Sequence, residues 1–125
     1  MARILVIDDN HLVRDTVKMV LAAAGHEVLT APEGSEGVRS FTLAQPDLVI
    51  TDIVMPEKDG IEVVTELRRM NARVPIIAIS GHDSIGMREF LLRSAQAFGA
   101  QRTFAKPFDP DELLDAVLEL LPRAA

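Results

Sequence analysis

Apolar residues along this chain fall into two alternating rhythms. Continuous runs, Ile4-Leu5-Val6-Ile7, Leu48-Val49-Ile50-Thr51 and Ile76-Ile77-Ala78-Ile79, read as strands buried on both faces. Val28-Leu29-Thr30 and the segment from Arg102 to Ala105 are shorter strand-like pieces. Between the strands, apolar positions recur at helical spacing. Val13, Val17, Val20, Leu21 and Ala24 share one face of a helix that ends at Gly25. A weaker helix is predicted from Glu33 to Gln45, before Pro46-Asp47 turns the chain.

Asp59-Gly60 opens a third helix, running to about Met70, with Asp59 as its N-cap. Asp83 or Ser84 is placed to cap a fourth, which closes near Phe98-Gly99. On that helix Met87, Phe90, Leu91, Ala95 and Phe98 are expected to face the core. Ile85 and Leu92 are expected on the opposite, exposed side, where an apolar pair would suit a partner. Asp109-Pro110-Asp111-Glu112 combines a cap, a first-turn proline and acids near the positive end of the helix dipole. The helix it starts is expected to run to about Leu121 and stop at Pro122. Strand and helix alternate throughout, the mark of βαβ units and a parallel sheet.

In such a sheet, ligands bind at the carboxyl ends of the strands. The first run leads into Asp8-Asp9, the second into Asp52, the third into Ser80, and the last strand into Lys106-Pro107-Phe108. Three carboxylates, a hydroxyl and an ammonium therefore converge on one edge. That set suits metal-assisted acceptance of a phosphoryl group. A carboxylate is able to attack phosphorus, and crowded carboxylates recruit a cation.

Composition narrows the class. The 125 residues fit one domain, and the absence of cysteine excludes disulfides, thiolate zinc sites and thiol nucleophiles. A net charge of −6 argues against direct nucleic-acid binding, which draws its affinity from Lys and Arg contacts to phosphate. No apolar stretch approaches the ~20 residues needed to cross a bilayer, and Met1-Ala2-Arg3 enters a strand without a signal-peptide core. A cytoplasmic location and no membrane insertion are expected.

The ordered set Asp8-Asp9, Asp52, Met55-Pro56-Glu57-Lys58-Asp59-Gly60, Ser80 and Lys106-Pro107-Phe108 resembles the receiver domain of bacterial two-component response regulators, over the whole chain. The resemblance implies a flavodoxin-like, doubly wound five-stranded parallel sheet of order 2-1-3-4-5 flanked by five helices. It implies a single receiver domain over 1–125, stand-alone and chemotaxis-regulator-like, with no output domain. Asp52 becomes the phosphoacceptor, Lys106 the phosphoryl contact and Ser80 the switch hydroxyl. Asp8, Asp9, Asp52 and the backbone carbonyl of Val54 become ligands of Mg²⁺ or Mn²⁺. Asp9 is also placed to cap the first helix. Pro107 corresponds to the family's cis-proline. The implied donor is a histidine kinase or a histidine phosphotransfer protein. The downstream partner is expected on the fourth helix, fifth strand and fifth helix. Beyond its own phosphorylation and dephosphorylation, no enzymatic activity is expected.

Two departures stand out. Many receivers carry Tyr or Phe three residues before the lysine, where this chain has Thr103. Phe104 is no substitute, because neighbouring strand residues point to opposite faces. The better-known receivers also set the Ser/Thr and Lys closer together than the 26 positions between Ser80 and Lys106 (106 − 80), so extra residues are expected around Gly81 to Met87. His82, two residues past Ser80, reads as a rim residue, more simply an exposed loop histidine than one that orders a hydrolytic water. His11 is a poor Mg²⁺ ligand and His26 carries no signal.

Two other readings compete. A receiver-like module could bind partners without phosphate, although it would have no need of the full acidic set. A small Mg²⁺-dependent phosphatase with an aspartyl intermediate would need a second acid two residues after the nucleophile, where Val54 stands.

Overall fold

The computed structural model describes residues 2–81 and 85–121. The expected capping residues Asp83 and Ser84, together with His82 and Pro122, lie outside the described residues, as does the side chain of Ile85. Strands and helices alternate: β1 (Arg3–Ile7), α1 (His11–Ala23), β2 (Glu27–Ala31), α2 (Gly34–Ala44), β3 (Leu48–Asp52), α3 (Gly60–Met70), β4 (Ile76–Ser80), α4 (Ile85–Phe98), β5 (Arg102–Ala105) and α5 (Pro110–Leu120). All four strand pairings are parallel, in the order β2-β1-β3-β4-β5 that the resemblance implied.

Because strand side chains alternate, each central strand feeds two cores. Leu5, Ile7, Val49, Ile76 and Ala78 pack on one side with Val63, Val64 and Leu67 of α3. Ile4, Val6, Ile50, Ile77 and Ile79 pack on the other with Val17 and Leu21 of α1 and with Leu113, Ala116 and Val117 of α5. Burial on both faces is why β1, β3 and β4 read as unbroken apolar runs.

Helix ends follow local chemistry. Asp59 Oδ1 accepts from Glu62 N at 2.9 Å and Asp109 Oδ1 from Asp111 N at 2.8 Å, so both expected caps form. α1 differs: its N-cap is Asn10, whose Oδ1 accepts from Leu12 N and Val13 N. Asp9 lies one residue too early for that role and stays exposed.

The expected orientation of α4 is also corrected. Ala95 is its fully buried side chain, and Leu91 and Leu92, four and three residues before it, pack against the same core. Met87, Phe90 and Phe98 are instead exposed, Phe90 to 56% and Phe98 to 53%. Helical neighbours at i−3 and i−4 share a face, so choosing Leu92 with Leu91 rotates the helix away from the two phenylalanines. Leu92 is therefore partly buried against the core rather than exposed. At 14 residues α4 is the longest of the described helices.

Candidate functional site

The sheet register sets the site. Ile7 lies beside Thr51, Asp52 beside Ile79, and Ser80 beside Ala105. Asp8, Asp52, Ser80 and Lys106 therefore emerge at one edge, as their strand-end positions predict. Asp8, Asp52 and Ser80 are buried and Asp9 is exposed beside them. Lys106 N donates to Ser80 O at 2.8 Å, and the Lys106–Pro107 peptide is cis. The Lys106 ammonium lies 3.0 Å from Asp8 Oδ2 and 3.4 Å from Asp52 Oδ2.

Two glycines shape these approaches. A Cβ on Gly60 would collide with the Asp52 carbonyl oxygen, so only glycine lets the start of α3 close on the end of β3. There Gly60 N donates to Ile53 O at 2.8 Å. A Cβ on Gly81 would meet Lys106 Cδ at 2.8 Å, so the bare backbone gives the lysine stem its path to the carboxylates. Neither role was read from the sequence, although a glycine directly after a strand or cap is a visible signal of close approach. The intervening loop also holds Glu57 at φ +65, a left-handed conformation that a side chain disfavours.

The electrostatics follow from burial. Desolvation, then the neighbouring Asp8 charge, raise the Asp52 pKa to about 7, against an opposing pull from Lys106. Burial alone would lower the Lys106 pKa, but Asp52 and Asp8 outweigh it and hold the ammonium above its ordinary value. The Lys106 ammonium thus faces both buried carboxylates.

One oxygen each from Asp8, Asp9 and Asp52 lies within 4.8 Å of the others. Among the described residues, Asp52 Oδ1 and Ser80 Oγ are buried without a hydrogen-bond partner. Buried polar atoms ordinarily find partners, so two idle ones at adjacent strand ends mark a place built to receive something. Clustered hard oxygen donors with excess negative charge fit a divalent cation such as Mg²⁺.

The remaining expected residues are less central. Val54 follows β3 with its side chain 46% exposed. Thr103 is half-buried on β5 beside Ala78, whereas Phe104 packs with the opposite core. His11 is exposed at the start of α1, and His26 Nδ1 accepts from Ala2 N at 3.3 Å, away from the acids.

A doubly wound sheet with this acidic edge and a cis-proline lysine loop defines a receiver domain. Residues 4–118 match the family described as Response regulator receiver domain, and the chain belongs to it. It is 40% identical to Transcriptional regulatory protein PrrA of Mycobacterium bovis over 121 residues, covering 97% of this chain and 50% of PrrA. The chain thus spans about half the length of the PrrA relatives it matches. It is 36% identical to Chemotaxis protein CheY of Bacillus subtilis over 120 residues, covering 95% of this chain and 97% of that protein. The crystal structure of chemotaxis protein CheY4 of Vibrio cholerae superposes with a TM-score of 0.85 at 32% identity, covering 97% of this chain and 99% of that one. Membership makes the chain a phosphoryl-accepting switch of two-component signalling, a family that binds Mg²⁺ at its acidic pocket and interacts with histidine kinases or phosphotransfer proteins. Among the described residues no helix is long and apolar enough to cross a membrane.

Proposed function

We propose that Asp52 is the phosphoacceptor and that residues 1–125 act as one receiver domain in the cytoplasm. A carboxylate oxygen of Asp52 attacks the phosphorus of a phosphohistidine. The P–N bond breaks, its electron pair stays on the imidazole nitrogen, and that nitrogen takes up a proton. The idle, buried Asp52 Oδ1, with an idle Ser80 Oγ at the end of the neighbouring strand, is the observation that carries this reading.

Asp8, Asp9, Asp52 and the Val54 carbonyl would hold Mg²⁺ or Mn²⁺, which when bound neutralises charge on the phosphoryl oxygens. Lys106 turns from its carboxylate partners to the same oxygens, and Ser80 donates its hydroxyl to them. Lys106, kept charged by its neighbours, needs no proton movement to do so. Once the phosphoryl group sits on Asp52, water attack on phosphorus returns the carboxylate, so the catalysis is confined to the chain's own modification.

The donor is a histidine kinase or phosphotransfer protein. An apolar groove of about 410 Å³, lined by Leu12, Val13 and Thr16 of α1 with Pro107, Phe108 and Pro110, opens beside Lys106 and suits apolar side chains next to the donor histidine.

Intact-mass spectrometry after incubation with acetyl phosphate tests the reading. Wild type gains one phosphoryl group only when Mg²⁺ is present, and Asp52→Asn gains none. A folded wild-type chain that takes no group from acetyl phosphate or from a phosphohistidine donor would overturn it.

A further inference from the structure

We propose that Arg88 is a positioning residue that couples the Lys106 loop to α4, so that phosphoryl acceptance is read out as a change in that helix. The inference rests on Asp52 being the acceptor. Arg88 is half-buried on the sheet-facing side of α4, and its guanidinium donates to the Lys106 carbonyl oxygen at 3.4 Å. The same lysine donates its backbone N–H to Ser80 O and sets its ammonium against Asp8 and Asp52. A continuous set of polar contacts therefore runs from the acceptor carboxylate through Lys106 to one side chain of α4.

α4 is built to respond. Among the described side chains it fully buries Ala95 alone, as α2 does Phe41, whereas α1 buries two and α3 and α5 three each. Helices held by little apolar burial sit at the low end of local stability. Its first turn contains Gly86, whose missing Cβ faces open space, so packing does not require the glycine there. Glycine is a poorer helix former than alanine, and here it stands in the turn where the helix meets the site. Beneath it, Thr103 offers only a small side chain on β5, half-buried and beside Ala78. When Lys106 moves toward a phosphoryl group on Asp52, the carbonyl that Arg88 holds moves with the loop. The weakly packed helix is the part that yields.

Hydrogen-exchange mass spectrometry of peptides spanning 85–98, with acetyl phosphate and Mg²⁺, tests the link, with the modified fraction read by intact mass in parallel. In wild type, modification changes exchange in α4 by about fivefold, the lower end of ordinary coupling energies. Arg88→Ala accepts the phosphoryl group to the same extent, which also shows that it folds, but loses the change in α4. Arg88→Lys, which keeps a donor on a long stem, restores part of it. A full α4 response in modified Arg88→Ala, or no response in modified wild type, overturns the coupling while leaving Asp52 as acceptor. Failure of Arg88→Ala to accept the group while wild type does so would place Arg88 in the phosphoryl chemistry and also overturns it. No adduct on Asp52 in wild type overturns the receiver reading and this link together.

Discussion

Asp52 is poised between two states at neutral pH, and the consequences have a definite sign. In the unfolded chain its carboxyl titrates near ~3.9, whereas in the fold burial and Asp8 raise it to about 7. Between these values the folded protein holds a proton that the unfolded chain has released. Without a divalent cation, stability therefore falls as pH rises through that window. Denaturant unfolding of wild type in chelator should show this loss, and Asp52→Asn should flatten the profile and exceed wild type by ~2 kcal/mol at pH 8. Mg²⁺ competes with the same proton. Its apparent affinity should rise about tenfold per pH unit up to neutrality and level off above it, since one proton leaves as the ion binds. A calorimetric affinity independent of pH between 5 and 7 would contradict the raised Asp52. The sequence pointed to crowded carboxylates that recruit a cation, but not to which of the three holds the proton. Their difference comes from depth: Asp8 and Asp52 are buried and Asp9 is not.

At the level of elements, local signals were read well and packing choices less so. The caps Asp59 and Asp109 act on backbone amides two or three residues away, so the sequence contains both partners. At the start of α1, Asp9 and Asn10 are both good caps, and the choice of Asn10 depends on where β1 releases the chain. The α4 face was misread because apolar residues cover both flanks of that helix. Periodicity then offers two stripes, and the sheet beneath selects Leu91, Leu92 and Ala95. The β3–α3 loop supports a paired prediction. Glu57 occupies left-handed space without being glycine, so Glu57→Gly should stabilise the fold by about 0.5–1 kcal/mol. Gly60→Ala should do the reverse, costing about 2 kcal/mol through the clash with the Asp52 carbonyl, and should slow adduct formation by displacing the acceptor. Denaturant midpoints decide the first, and midpoints with acetyl-phosphate kinetics the second. An inert Gly60→Ala would mean that the backbone relaxes freely beneath the acceptor.

For the whole molecule, the parallel sheet and the convergence of acids at one edge were legible because two simple rules act together. Doubly buried strands are continuous apolar runs, and whatever ends them is delivered to the same edge. The strand order could not be derived from those runs alone and came with the family resemblance. The finished edge concentrates charge: three carboxylates against the Lys106 ammonium, in a chain of net charge −6. A cation binding there acts on folding as well as on chemistry, because the unfolded chain separates Asp52 from Asp8-Asp9 and offers it nothing comparable. Mg²⁺ at tenfold excess over its Kd should add about 1.4 kcal/mol, a rise in Tm of about 5 °C for a domain of this size. Asp9 gives the cleanest test. Its side chain is exposed and caps nothing, so Asp9→Asn should leave the metal-free Tm within about 1 °C of wild type. The same variant should lose most of the Mg²⁺-dependent rise, since a ligand is missing. Asp8→Asn is less clean, because Asp8 Oδ1 also accepts from Asn10 N at 2.9 Å and Oδ2 meets Lys106, so its metal-free stability should shift as well. If Asp9→Asn kept the full rise, the ion would have to be held by Asp8, Asp52 and the Val54 carbonyl without it, and Asp9 would be a solvated surface acid.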